Sequence, residues 1–428
     1  MSALPPKARP RLFLGWTVVG AAALASFAQV SFFNPVLGVF MPALTRDFGW
    51  GRAEVSGAMT VGSLGGALLS PVAGPLVDRY GGKALIAGGA LVMTVCLALL
   101  ALLQDIWQFY ILFAIGRAIA SGVLTLAATV TVSKWFIRRR GIAVGVTTLG
   151  TRAAFAVLPI GVQLIIGGWG WRQAWIALAV VVGVLGILPT LRFLHAAPEA
   201  MGLTPDGDPP FDPGPAGGQG VRPLEVDWRR EDALRTRAFW LVTLAVSLEA
   251  WAGGAINLHK IPHLVDRGLS PNTAALTISV LALFAAAGSL LEGALDAAVG
   301  ARWTLVVGLI GSAAGMVILM SVHGTGMAMA YAALYGVAFG MMVTSSQVVF
   351  ADYFGRAALG AIRGTAGPIQ MTLNAIGPLV AGIAYDRTGS YLAAFVPFTV
   401  SYVLAAACLV VARKPTASGQ VAAVPGDV

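Results

Sequence analysis

Twelve apolar stretches of 20 residues or more, almost free of charge, follow one another along this chain. They cover 14–41, 53–77, 84–103, 107–132, 141–166, 173–194, 238–262, 272–295, 303–322, 327–351, 361–385 and 391–412. A helix of about 20 mainly apolar residues crosses the hydrocarbon core of a bilayer. The pattern therefore predicts an all-α membrane protein with twelve transmembrane helices. Only 11% of the 428 residues are charged, and 57% are hydrophobic. A soluble chain carries roughly 25% charged residues, so no polar shell is available here to cover a core. The mean hydropathy of +0.80 says the same.

The placement of charge gives an orientation. With the N-terminus in the cytoplasm, inner segments hold 20 of the 28 Lys and Arg, among them Lys7, Arg9, Arg11, Lys134, Arg138, Arg139 and Arg140. Outer loops hold five, namely Arg46, Arg52, Arg172, Arg267 and Arg387. Arg117, Arg152 and Lys260 fall inside spans. This is the positive-inside pattern of a multi-pass inner (plasma) membrane protein with both termini cytoplasmic. It accounts for most of the +9 net charge without nucleic acid. The first span is too long for the apolar region of a signal peptide and is expected to stay. Cys96 and Cys408 both lie in apolar runs, which excludes a disulfide framework or a Cys-ligated metal.

Residues 205–220, PDGDPPFDPGPAGGQG, are rich in Pro and Gly and read as a flexible linker. The following DWRREDALRTRAFW (Asp227–Trp240) mixes charges with Trp228, Leu234, Phe239 and Trp240. It reads either as a short helix on the inner membrane surface or as a solvated connector. The two sides of this linker are related. Asp78 matches Asp296 and Trp135-Phe136 matches Tyr353-Phe354 at an offset of 218; Gly145 matches Gly364 and Pro159 matches Pro378 at 219; Pro42 matches Pro262 at 220. A tandem duplication follows, with six-helix bundles at 1–194 and 238–413, a cytoplasmic linker at 195–237 and a cytoplasmic tail at 414–428. Parallel repeats of this kind place a substrate site near the midplane between the halves.

The motif GPLVDRYGGK (Gly74–Lys83) fits the G-x-L-x-D-R-x-G-R/K loop between the second and third helices of the major facilitator superfamily, and the chain resembles that superfamily over almost its whole length. The second copy, GALDAAVGAR (Gly293–Arg302), keeps Gly293, Asp296 and Gly300 but lacks the Arg after the Asp. The resemblance implies a gating role for Asp78, Arg79 and Lys83, weaker on the side of Asp296. Arg117 in GRAIASG (Gly116–Gly122) matches the superfamily's fourth-helix pattern. Within the superfamily, DFGWGRAEVSG, KWFIRRRGIAVG, GWRQAW, PEAMGLTPDGDP and HLVDRGLSP are similar to the bacterial monocarboxylate and oxalate:formate carriers. Carboxylate-moving relatives place an Arg in the eighth helix where this chain has Ser289.

Charged residues within spans are expensive and face a cavity or a partner. Arg152, near the middle of the fifth span, presents a guanidinium fork suited to a carboxylate; the alternative is a buried pair with Glu249. Glu249, near the middle of the seventh span, is a candidate proton-coupling group, with a static pair to Arg152 or Lys260 as the alternative. Arg117 reads as a structural or coupling residue. Glu292, one turn from Asp296, reads as part of a gate. Lys260, next to Pro262, either snorkels to the outer interface or recruits an anion. Asn34, Gln370, Asn374, Tyr331 and Tyr335 are candidate hydrogen-bonders to substrate, or glue between helices. No P-loop, metal-spaced cluster or nucleophile elbow is present, so neither enzyme chemistry nor a cofactor is expected. The leading function is secondary transport of a small organic anion, a mono- or dicarboxylate, by proton symport through alternating access in a monomer embedded in lipid. Efflux of an amphipathic compound and a non-transporting membrane sensor remain as alternatives.

Overall fold

The computed structural model describes residues 13–136, 140–195, 198–204, 206, 228–355 and 359–415. Twelve long helices account for most of them. They are α1 (Leu14–Phe48), α2 (Arg52–Ala73), α3 (Arg79–Leu100), α4 (Ile106–Trp135), α5 (Arg140–Trp169), α6 (Trp171–Phe193), α7 (Arg237–Asp266), α8 (Pro271–Val299), α9 (Ala301–Met320), α10 (Thr325–Phe354), α11 (Leu359–Thr388) and α12 (Leu392–Val411). Eleven are long and apolar enough to cross a membrane. The remaining one, α11, is as long as α5 at 30 residues but carries Arg363, Gln370, Asn374 and two prolines.

Three spans are irregular. A 3₁₀ turn, Gln29–Phe32, interrupts α1, and the helix resumes at Asn34 with Pro35 in its first turn, where the missing N–H costs nothing. The spans α4 and α6 contain π turns at Ile119–Leu124 and Val182–Ile187. The duplication survives in the backbone. Gly81 (φ 77°, ψ 152°) and Gly300 (φ 84°, ψ 154°), 219 residues apart, turn the chain in the same left-handed conformation after the second span of each half. Residues with a Cβ avoid that region.

The chain divides into two compact units. The first comprises residues 1–44 and 58–216, and the second 45–57 and 217–428. In the first, Val18, Val19, Ala22, Val77, Ile86, Val132, Trp135 and Phe136 form a buried core. Helix contacts there rest on small residues, as expected in lipid. A Cβ on Gly122 of α4 would lie 2.4 Å from the Gly66 carbonyl of α2, and one on Gly150 of α5 would lie 2.0 Å from the Ala23 carbonyl of α1. In the second unit, Cβ atoms on Gly288 (α8) and Gly340 (α10) would lie 2.1 Å from Val337 O and 2.0 Å from Ala285 O. Gly340→Val is therefore expected to force α8 and α10 apart and to lower the melting temperature of the detergent-solubilised protein by several degrees. Gly145→Ala, where a Cβ meets nothing within 4 Å, should leave it unchanged.

The segment before α7 is packed against protein. Trp228 meets Phe354 edge-on at 6.0 Å and donates its backbone N–H to Phe354 O at 3.2 Å. Arg230 Nε donates to Thr365 Oγ1 at 3.2 Å, and Ala233 of the short helix Arg230–Leu234 is buried. Thr236 then caps α7 by accepting from Phe239 N. Protein contact, more than a free solvated connector, describes this stretch. The Pro/Gly-rich part of the linker, residues 207–227, lies outside the described residues, as do residues 1–12, Arg138, Arg139 and 416–428.

Candidate functional site

Two cations sit within the first unit. Arg117 is 7% exposed. Its Nε donates to Ser63 Oγ at 3.1 Å, its Nη1 reaches Phe32 O at 3.5 Å, and its guanidinium lies 4.3 Å from the Phe33 ring centroid. No carboxylate pairs with it among the described residues, and the π turn of α4 begins two residues later. Arg152 is the thirteenth residue of the 30-residue α5, about 18 Å along it at 1.5 Å per residue. It is partly buried and makes no hydrogen bond or ion pair among the described residues. The small residues beside it serve helix contact: Gly150 admits the α1 backbone, and Thr151 Oγ1 donates to Ser26 O at 3.4 Å. Asn34, at the start of the resumed part of α1, is buried.

In the second unit, Glu249 is likewise the thirteenth residue of a 30-residue helix, α7. It is 6% exposed and makes no hydrogen bond or ion pair among the described residues. Lys260 lies 11 residues further along the same helix, about 16 Å away, and its Nζ donates to Asn257 Oδ1 at 2.8 Å. Among the described residues the pair with Lys260 weighed for Glu249 is therefore not formed. Nor does Lys260 snorkel: it is 1% exposed. Pro262 suggested a helix end nearby, but α7 continues through it to Asp266. The continuation is held by His263 Nε2 on Leu319 O at 3.0 Å and Arg267 Nη2 on Met320 O at 2.6 Å.

The other polar candidates of the second unit differ in what they touch. Asn374 Nδ2 of α11 donates to Ala250 O at 2.9 Å, where Gly254 and Gly377 bring the α7 and α11 backbones together. Gln370 is half-buried. Tyr331 and Tyr335 of α10 are stacked at 5.3 Å and fully buried. Tyr335 Oη lies 2.9 Å from Tyr402 Oη of α12, while Tyr331 Oη has no partner among the described residues. Among the gating candidates, Ser345 Oγ donates to Glu292 Oε1 at 3.2 Å, and Asp296 is half-buried one turn on. Arg79 is exposed beside Tyr80, and Lys83 is half-buried. The Asp78 side chain lies outside the described residues.

One cluster escaped the sequence reading, which counted Arg52 as an outer-loop charge. Arg52 forms a two-pronged ion pair with Asp266, at 2.7 and 2.8 Å. It lies 3.7 Å above the Tyr385 ring and donates to Tyr391 Oη at 2.7 Å. Asp386 accepts from the backbone N–H groups of Arg52 and Ala53 at the start of α2, at 3.0 and 2.8 Å. Behind them, His259 Nε2 lies 2.8 Å from Pro378 O and 3.1 Å from Ser56 Oγ, and its Nδ1 lies 2.9 Å from Tyr391 Oη. A carbonyl only accepts, so Nε2 carries the hydrogen and Nδ1 takes the Tyr391 proton. Tyr391 then accepts from Arg52, and a continuous chain of hydrogen bonds runs Arg52–Tyr391–His259–Pro378. The motifs DFGWGRAEVSG and HLVDRGLSP contain Arg52 and Asp266 and were the available signal. Arg52→Gln and Asp266→Asn are each expected to lower the melting temperature, by the equivalent of about 1 kcal/mol for a partly exposed pair. The double variant should melt no lower than the worse single, because the two act through one interaction.

Comparison with known proteins places this geometry in a lineage. The Major Facilitator Superfamily sequence model matches residues 18–259 and 260–426. Human monocarboxylate transporter 11 is 25% identical over 394 residues, covering 89% of this chain and 79% of that protein. The agnestins efflux protein AgnL12 of Paecilomyces divaricatus is 28% identical over 184 residues, 42% of this chain and 41% of its own. A bacterial homologue of the human lysosomal transporter Spinster, solved in an inward-facing and occupied conformation, superposes with a TM-score of 0.68 at 17% identity. The match covers 95% of this chain and 97% of that one, and shows a shared fold.

Proposed function

Because the chain belongs to the major facilitator superfamily and is a transporter, not an enzyme, we propose that it carries a small organic anion, a mono- or dicarboxylate, together with protons. It acts by alternating access in the plasma membrane, with both termini and the 195–237 linker cytoplasmic. One observation supports this above the rest. Arg117, Arg152 and Lys260 all lie within spans, and none has a carboxylate partner among the described residues. Uncompensated positive charge in a membrane protein's interior is unfavourable, and an anionic substrate relieves it. Arg152 is the group that grips the substrate, since its donors are uncommitted. Lys260, Asn34, Gln370, Asn374, Tyr331 and Tyr335 are the further candidates for substrate contact. Glu249 carries the proton, aided by Arg117, and Asp78, Arg79, Lys83, Glu292 and Asp296 form the gates.

The test is uptake into proteoliposomes of radiolabelled L-lactate, oxalate and succinate, with and without an inside-alkaline pH gradient. Accumulation of at least one acid above equilibrium, only with the gradient, supports the reading. Failure of all three to enter faster than into empty liposomes overturns it. A second reading, efflux of an amphipathic compound, draws on the likeness to a named efflux protein and on Ser289 in place of a cation. It predicts that expression protects cells from an amphipathic toxin while the three acids do not move.

A further inference from the structure

Tyr402 plays no part in the reading above, yet its hydroxyl and the Glu249 carboxyl border the same glycine, Gly253. Tyr402 and Tyr335 are both fully buried, and their hydroxyls share one hydrogen bond. Two phenols bring two protons to a pair, and the shared bond uses one. If Tyr335 donates to Tyr402, the Tyr402 O–H is free to donate onward. Gly253, one turn beyond Glu249 on α7, shows where it points. A Cβ placed on Gly253 would lie 3.9 Å from Tyr402 Oη and 4.0 Å from Glu249 Oε1, with no other atom as near. The phenol and the carboxyl therefore border one small space, which the absent side chain leaves open. The two oxygens are within about 8 Å of each other, a separation that a rotamer change of Glu249 can shorten.

We propose that Tyr402, backed by Tyr335, is the positioning partner that receives the Glu249 carboxylate once its proton has left, across the gap kept open by Gly253. This rests on the reading of Glu249 as the proton carrier. In the observed structure Glu249 has no partner among the described residues, so the engaged arrangement is the other half of its cycle. When the carboxylate turns to Tyr402, Tyr402 O–H donates to it and Tyr335 O–H donates to Tyr402. The two bonds polarise each other in the same direction. The O–H bond of the protonated carboxyl breaks as its proton passes to water, and every other change is an exchange of hydrogen bonds. Among the described residues of the second unit, the titratable groups facing Glu249 are Tyr335 from α10 and Tyr402 from α12. From α11 it meets Asn374, which is committed to Ala250 O. On α8 the carboxyl of Glu292 is held by Ser345. Tyr331 stacks on Tyr335 but passes no hydrogen bond on, since its hydroxyl has no partner among the described residues.

The experiment reads Glu249 directly and needs no substrate. Purified full-length protein in liposomes is titrated while the carboxylic C=O stretch is followed by infrared difference spectroscopy, and the Glu249 band is identified by its loss in Glu249→Gln. A hydrogen bond to a carboxylate favours that form. Tyr402→Phe is therefore expected to move the midpoint of the band up by about one pH unit, a tenfold change in proton concentration. Tyr335→Phe should move it in the same direction by less, and Tyr331→Phe not at all. Gly253→Ala makes only ordinary contacts, so it folds while filling the gap, and it should reproduce the Tyr402→Phe shift with the phenol still present. An unchanged midpoint in both Tyr402→Phe and Gly253→Ala overturns the inference and leaves Glu249 as the titrating group. Absence of any band lost in Glu249→Gln overturns the reading beneath it as well.

Discussion

Arg152→Ala is expected to yield a folded, membrane-inserted protein that no longer carries the anion. The guanidinium takes no hydrogen bond or ion pair among the described residues, so its removal breaks no contact on which α5 depends. The packing of this turn rests on Gly150 against Ala23 and on Thr151 against Ser26, which the substitution leaves in place. What disappears is a permanently charged fork about midway along a helix spanning a ~30 Å core. Truncating one partner of a buried, hydrogen-bonded charge pair typically costs about 2–5 kcal/mol. Affinity for the carboxylate should therefore fall by at least roughly 30-fold. Arg152→Lys keeps the charge and loses the paired geometry, and should fall between wild type and Arg152→Ala. Substrate affinity measured on purified protein, with melting temperature as the check on folding, decides the matter. Unchanged affinity in a well-folded Arg152→Ala protein removes Arg152 from the site.

Glu249→Gln separates movement from driving force. Gln is close in shape to the protonated acid and cannot release a proton. Exchange of labelled for unlabelled substrate across the liposome membrane, which needs no net proton movement, should persist at near wild-type rate. Accumulation against a gradient, driven by pH, should be lost. The expectation follows from the isolation of the carboxyl: a buried acid with no ion pair among the described residues is not a structural pair whose loss would unfold α7. A variant that still accumulates substrate with the wild-type pH dependence takes Glu249 out of the mechanism.

Local patterns carried the fold. Apolar length placed the spans, and the repeat reappears in the paired left-handed turns at Gly81 and Gly300, which the matched residues did not single out. Features that depend on distant partners were not legible. Arg52 and Asp266 are 214 residues apart, so a charge count assigns each to a loop although together they form a built cluster. Residues 45–57 pack with the second unit, which no boundary drawn along the sequence anticipates. Lys260 looked terminal because Pro262 follows, whereas α7 accommodates that proline and buries the lysine. The smallness of Gly150, beside Arg152, serves contact with the α1 backbone at Ala23, a partner distant in the sequence. Tyr331 and Tyr335, four residues apart, were visible as one helix face. Their neighbour Tyr402 was hidden in a span with no charge to draw attention to it.

Proton movement linked to anion movement is the centre of the account. It is measured most directly in liposomes holding a pH-sensitive dye and the reconstituted protein, at zero membrane potential. The acid that enters best among L-lactate, oxalate and succinate is supplied outside without any initial pH gradient. Acidification of the lumen in step with labelled uptake, absent from empty liposomes and from Glu249→Gln, is the predicted result. Uptake of the label by the wild-type protein with no change in lumenal pH would contradict the account.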